Sequence, residues 1–496
     1  MAPGPSPNQI GAISLDAAGV PALRLPALTS LVAGRPVAGD SDFVVLEKFT
    51  GRPIARVAEP SRAQIASAMA TAHDAFERGA PPPFERAVIL RRVAEFIDRG
   101  RDRFEELFVA ETGFTRPDAR MEIDRSIVTL QLSAEEATRT VGEMVPFGAS
   151  PGQQDRIGFT LRLPIGIVCA ITPFNSPLNT VLHKIAPALA AGNAVVVKPS
   201  DLTPLTAALL CETFLEAGLP PDLLTLLQGS GETVGRHLLE APAIAFYSFT
   251  GSTRVGRMVQ QAAGLRRTQL ELGSIASTII CADADLDRAA PKIAGAAFRK
   301  AGQVCTSVQR VYVQRSVLGE VTDRLVEEIR RLPVGNPWKP DTRIGPMITE
   351  AAAQRTSSWI AEALEGQARI LIGGGRSGSV MEPTLLMDTR AGMRVVDEEI
   401  FAPVLSILPF DRLEDAVHGA NDTPYGLSAG IFTRDITAAI GASKSLRFGA
   451  VHINEASSAR GDAMPFGGVK DSGFGREGPR YMIREVTEER LITINP

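Results

Sequence analysis

Residues 166–201, GIVCAITPFNSPLNTVLHKIAPALAAGNAVVVKPSD, read as strand, turn, helix, strand and turn. Gly166 to Ile171 is a short unbroken apolar run, the pattern of a strand buried on both faces. Pro173-Phe174-Asn175-Ser176-Pro177 stops it with two prolines. Leu178 to Ala190 then reads as a helix, and Ala194 to Val197 is a second buried strand that ends in Lys198-Pro199-Ser200-Asp201. Two buried strands joined by a helix imply a parallel pair. Ligands of parallel sheets bind beyond the carboxyl ends of the strands, which is where Asn175 and Lys198 fall.

The same alternation continues outward. Pro204 to Ala217 reads as a helix, Leu223 to Leu227 as a strand, Glu232 to Leu239 as a helix, Ala243 to Tyr247 as a strand and Thr253 to Ala263 as a helix. Gln269 to Glu271 is a short strand. A second alternating region runs from about Gly273 to Asn454, with strands at Thr278 to Cys281, Val311 to Val313 and Ile370 to Ile372. Upstream, residues 1 to about 30 read as an extended arm, Phe43 to Leu46 as a first strand and Ser61 to Phe76 as a helix; Phe84 to Thr138 is mainly helical, interrupted at Gly113. Arg156 to Arg162 alternates strictly, and Leu491 to Ile494 is an apolar strand with no local partner. Both suggest edges that pair with other segments or with another subunit.

A chain of 496 residues exceeds one ordinary core, so two or three substructures are expected. Its net charge of −4 offers no electrostatic case for nucleic acid or a membrane surface. No run of about 18 apolar residues suits a bilayer, and the start of the chain lacks signal-peptide character. The four cysteines (Cys169, Cys211, Cys281, Cys305) are far apart, without a Cys/His cluster, so neither a disulfide framework nor a metal site is expected and a reducing, cytoplasmic setting is.

Cys305 lies in Gly302-Gln303-Val304-Cys305-Thr306-Ser307, between an expected helix (Leu286 to Lys300, capped by Asp285 or Asp287, with Arg299 and Lys300 complementing its C-terminal dipole) and a strand. Scaffolds display reactive groups on such junctions. Gly229-Ser230-Gly231 with Gly235, and Thr250-Gly251-Ser252-Thr253, each open a helix in a manner suited to phosphate. Lys198 and Asp201 suit a ribose or a plain surface turn. Glu271 ends its strand one residue before Leu272-Gly273.

Together these residues resemble the aldehyde dehydrogenase superfamily from about residue 40 onward. The carrying motifs are Pro173-Phe174-Asn175, Lys198-Pro199-Ser200, Phe249-Thr250-Gly251-Ser252, Glu271-Leu272-Gly273, Gly302-Gln303-Val304-Cys305, Glu398-Glu399-Ile400-Phe401-Ala402-Pro403-Val404 and Pro465-Phe466-Gly467-Gly468-Val469-Lys470, with Ser472-Gly473. The resemblance implies an α/β fold with a Rossmann-type NAD(P)-binding domain (1–140 and 163–272), a catalytic domain (273–460), and bridging strands for oligomerisation (141–162 and 478–496). It implies a nucleophilic Cys305 in a site that helps ionise it, an oxyanion amide on Asn175 and a general base at Glu271. Cofactor contacts follow at Lys198, Ser200, Asp201, Gly231, Gly251, Ser252, Glu399 and Phe401. The Asp201 carboxylate would repel a 2′-phosphate, which favours NAD, with NADP open. Ser274, Ile275, Phe174 and Ala402 depart from the usual motifs without removing a reacting group. Relatives are homodimers or homotetramers.

Ser176, Asn179, Thr180 and His183 share one helix face, and in relatives that face lines the substrate tunnel. Here it is polar. With Arg125, Arg460, Thr306 and Phe466 it forms the expected substrate set, in which Arg125, His183 and Arg460 bind an anion. The tail Arg476-Glu477-Gly478-Pro479-Arg480 and the context of Cys305 look like the subgroup acting on lactaldehyde, phosphonoacetaldehyde, sulfoacetaldehyde and glyceraldehyde 3-phosphate. The expected substrate is therefore a small polar aldehyde carrying a phosphonate, phosphate or sulfonate. The alternatives are a dehydrogenase of neutral aldehydes, a CoA-acylating enzyme, against which Glu271 counts, and a non-catalytic scaffold.

Overall fold

The structure, a computed structural model, describes residues 28–495. Five parallel strands form the centre of the first sheet, in the order Leu224–Leu226, Ala194–Lys198, Ile167–Ile171, Ile244–Thr250 and Arg267–Glu271. Val168, Cys169, Ala170 and Val195 to Val197 are wholly buried there, as unbroken apolar runs require. The chain steps outward from Ile167–Ile171 on one side and then returns to its other flank. That reversal opens a crevice beyond the strand ends.

Antiparallel strands close both edges of this sheet. Ser30–Val32 and Arg35–Val37 form a hairpin on one side. Gly473–Phe474, from near the end of the chain, lies beside Arg267–Glu271 on the other. The extended arm expected over residues 1 to 30 lies almost wholly outside the described residues.

The second sheet has seven strands, ordered Arg369–Ile372, Thr384–Met387, Val404–Phe410, Val308–Gln314, Ala276–Ile280, Ser428–Phe432 and Ala450–Ile453. All neighbours are parallel except the first pair. Helix Arg116–Ala137 begins with a reciprocal cap between Thr115 and Asp118 and packs on helix Asn179–Ala191, bringing Glu122 and Arg125 toward the crevice. Every residue of helix Asn179–Ala191 is buried.

The two orphan strands of the sequence find each other. Thr487–Ile494 pairs antiparallel with Ile157–Pro164 along its full length, and its outer edge carries no strand among the described residues. The segment from residue 478 is not all bridging strand, however. Helix Pro479–Glu485 comes first and buries Met482 and Ile483 in the core of the first sheet, because its apolar residues follow helical spacing. No helix among the described residues is long and apolar enough to cross a membrane.

Candidate active site

A cleft of about 1020 Å³ opens at the carboxyl ends of the first sheet and reaches the second. Asn175, Glu271 and Cys305 line it, brought together from a turn, a strand end and a loop. Helix Leu286–Phe298, capped by Asp285, stops two residues short of the expected Lys300. Lys300, Ala301 and Gly302 then adopt left-handed φ of 52°, 53° and 69°. At Gly302 the requirement is absolute, since a Cβ would stand 2.1 Å from the Ala402 carbonyl oxygen.

The chain leaves this turn through Gln303. Its carbonyl accepts a hydrogen bond from Asn175 Nδ2 at 2.9 Å, and its own Oε1 accepts from the Ile348 amide at 2.9 Å. One N–H of the Asn175 amide is thereby committed, which fixes the amide plane; the other is the donor left for a substrate oxygen.

The surroundings of Cys305 act on its thiol in both directions. Burial, and then the Glu271 carboxyl lying against it, push the thiol well above its usual range, while Arg460 pulls the other way. Ionising a thiol so placed calls for a base. Glu271 is suited to be that base, because burial, and then the negative Glu477, raise its carboxyl to about 7.

All eight expected cofactor residues line the cleft: Lys198, Ser200, Asp201, Gly231, Gly251, Ser252, Glu399 and Phe401. Ser252 caps helix Thr253–Ala263, and a Cβ at Gly251 would strike the Phe249 ring at 2.6 Å, so bare backbone meets the helix N-terminus there. Such a surface fits a pyrophosphate. Glu399, raised to about 7 by burial, accepts from the Ser274 amide at 2.9 Å. Phe401 meets Phe174 edge to face at 5.8 Å. The cleft thus fits a nicotinamide dinucleotide.

The substrate set divides. Ser176, Thr180, Thr306, Arg125 and Arg460 line the cleft. Asn179, His183 and Phe466 do not, which corrects the expected anion site. His183 Nε2 lies 3.0 Å from Asp462 Oδ1, and Asn179 Nδ2 donates to that same oxygen at 3.0 Å while its Oδ1 accepts from Thr129. Burial also lowers the His183 pKa, with the Asp462 hydrogen bond acting the other way, and its Nε2 is taken up by Asp462 instead of facing the cleft. A face spanning i to i+7 is wider than the cleft, and here its outer half packs on helix Arg116–Ala137. Phe466 is buried beneath Arg460, whose guanidinium stacks 3.7 Å above its ring.

Several residues of the site gave no sequence signal of their role. Arg299 lines the cleft; its Nη2 donates to Ser458 Oγ at 3.0 Å, and no carboxylate among the described residues pairs with it. Asp462 grips Arg125 with two hydrogen bonds, at 2.8 and 3.2 Å. Against the effect of its own burial, His183 and Arg125 hold its carboxyl well below the usual range. Glu477 accepts from Lys184 at 2.9 Å and from Arg460 at 2.7 Å, all three side chains being largely buried.

This fold and cleft define a class, the NAD(P)-dependent dehydrogenases with a cysteine in the active site. The chain belongs to the aldehyde dehydrogenase family, whose model matches residues 37–492. It is 43% identical to 3-sulfolactaldehyde dehydrogenase of Priestia aryabhattai, over 91% of this chain and 94% of that one. Aldehyde dehydrogenase 21 of Physcomitrella patens, solved with its reaction product succinate, is 34% identical and superposes with a TM-score of 0.92 over 95% of this chain and 99% of that one. Glyceraldehyde-3-phosphate dehydrogenase of Methanocaldococcus jannaschii, complexed with NADP, is 35% identical with a TM-score of 0.89, over 92% and 100% of the two chains.

Proposed function

We propose that this enzyme oxidises a small aldehyde whose far end carries an anion, a sulfonate, phosphonate, phosphate or carboxylate, to the corresponding acid. Arg299 carries the proposal. It faces the cleft without a salt-bridge partner among the described residues; burial disfavours its charge, Asp118 offsets this in part, the like charge of Arg125 adds to it, and a bound anion would favour the charged guanidinium. Arg125 and Arg460 are already paired, with Asp462 and Glu477, and add oriented N–H groups. The sulfonate and carboxylate chemistry in the relatives' names supports the same class.

In this reading Glu271 takes the Cys305 proton, and the thiolate forms a C–S bond to the aldehyde carbon. The free N–H of Asn175 holds the resulting oxyanion; removing such a donor raises a barrier by about 2.7–4 kcal/mol. NAD(P), when bound by the eight residues above, supplies the acceptor for the hydride lost from that carbon. Glu271 releases the thiol proton to solvent, and the regenerated carboxylate then takes a proton from the water that cleaves the Cys305 thioester, with the Cys305 sulfur as leaving group. The Asp201 carboxylate favours NAD over NADP.

The test is kcat/KM across sulfoacetaldehyde, phosphonoacetaldehyde, glyceraldehyde 3-phosphate, lactaldehyde, hexanal and benzaldehyde, each with NAD and NADP. A hundredfold preference for the anionic members, about 2.7 kcal/mol of transition-state binding, is expected. Equal or better use of hexanal or benzaldehyde would refute the anion site. We also propose that the free edge of Thr487–Ile494 joins subunits into a homodimer or homotetramer.

A further inference from the structure

Asn175 is held at both ends by one short segment. Its side-chain amide donates to the Gln303 carbonyl, and its main-chain carbonyl accepts from Lys300 Nζ at 2.8 Å. Lys300 and Gln303 are also tied to each other, since the Lys300 carbonyl accepts from both the backbone amide (3.1 Å) and the Nε2 (3.2 Å) of Gln303. The result is a closed ring of hydrogen bonds joining the oxyanion turn to the turn that presents Cys305.

Lys300 is an unusual choice for that position. Its φ is left-handed, where long side chains are strained, and the side chain is buried. Its ammonium sits 5.4 Å from the centroids of both Phe108 and Phe114, and its countercharge is Glu122 at 2.6 Å. The other Glu122 oxygen accepts from Ser176 Oγ (2.9 Å) and from the amides of Leu178 (3.1 Å) and Asn179 (3.2 Å). Glu122 therefore anchors the chain on the far side of Asn175 as well. A lysine needed only to fill space would not require a buried carboxylate that also fixes the oxyanion loop, and burying such a pair is costly unless every group is satisfied, as these are.

We infer that Lys300 and Glu122 are a positioning pair that sets the Asn175 amide against Cys305, and so act on oxyanion stabilisation without touching substrate. The inference rests on the aldehyde-oxidising reading above. It makes kcat, not substrate affinity, the sensitive quantity, and it makes the effect depend on Asn175.

The experiment is a double-mutant cycle. Glu122→Gln with Lys300→Met removes both charges at once, avoiding an unpaired buried ion, and is made in the wild type and in Asn175→Ala. In the wild type kcat should fall 10- to 100-fold with KM for the aldehyde changing less than threefold; in Asn175→Ala the further fall should be under twofold. An equal fall in both backgrounds, or none in the wild type, overturns the inference alone. An Asn175→Ala enzyme with kcat within threefold of wild type overturns the reading of the site and the inference with it. Should the paired variant not fold, Glu122→Asp keeps both charges and withdraws the carboxylate by one methylene. It should lower kcat at least threefold in the wild type and less than 1.5-fold in Asn175→Ala, with equal losses again overturning the inference.

Discussion

Burial and the adjacent Glu271 carboxyl push the Cys305 thiol above its usual range. In the proposed reaction, nucleophile activation and thioester hydrolysis both draw on the Glu271 carboxyl in its ionised form. Because Glu271 titrates near 7, that form falls tenfold per pH unit below neutrality and is complete above it. The expected profile is a kcat that rises with unit slope to about pH 7 and then levels, measured as NADH formation at saturating substrate. Glu271→Gln should slow both thiolate formation and thioester hydrolysis, seen as a steady rate at least a hundredfold lower with no pre-steady-state burst. Arg299→Leu should raise KM for a sulfonated aldehyde at least tenfold, about 1.4 kcal/mol, and leave hexanal within twofold. Asp201→Ala should raise kcat/KM with NADP relative to NAD. Cys305, Glu271 and Asn175 are read from local motifs at a strand end or turn, and the fold brings all three to one cleft. Asp462 and Glu477 were not legible in the sequence, because their partners lie 337 and 293 positions away and neither motif nor periodicity carries such pairings.

Among the elements, the strand and helix alternation of residues 166–263 was readable nearly to the residue, since buried parallel strands are unbroken apolar runs with turn residues between them. The helix before Cys305 was read two residues too long. Arg299 and Lys300 suit a helix C-terminus, but the close approach of Ala402 forces the chain into a left-handed turn. Gly302→Ala should therefore lower the thermal midpoint and cut kcat at least tenfold, through left-handed strain of about 1–2 kcal/mol plus a clash with fixed backbone. Gly148→Ala, where a Cβ meets nothing within 4 Å and φ is not left-handed, is the control and should be neutral in both assays. The polar face of helix Asn179–Ala191 shows the opposite limit. Spacing put Ser176, Asn179, Thr180 and His183 together, yet only packing against helix Arg116–Ala137 and Asp462 selected which of them meet the cleft.

Across the whole molecule, the last strand pairs with Ile157–Pro164 and its other edge carries no strand among the described residues, with Leu491 and Ile494 about half exposed. Leu491→Asp combined with Ile494→Asp should leave the fold intact and shift the protein toward monomer in sedimentation, whereas an unchanged assembly would remove this edge from the interface. The α/β class, the two alternating regions and the candidate trio Cys305, Glu271 and Asn175 follow from the order of residues alone, because alternation, turn chemistry and short motifs are local properties of the chain. The charge of the site does not. That His183 is a buried partner of Asp462, that Arg125 and Arg460 are already paired, and that Arg299 lines the cleft with no carboxylate pair among the described residues emerge with the folded arrangement. Ion pairing and desolvation depend on which distant segments are folded against one another, and that information exists only once the sheets and helices have packed.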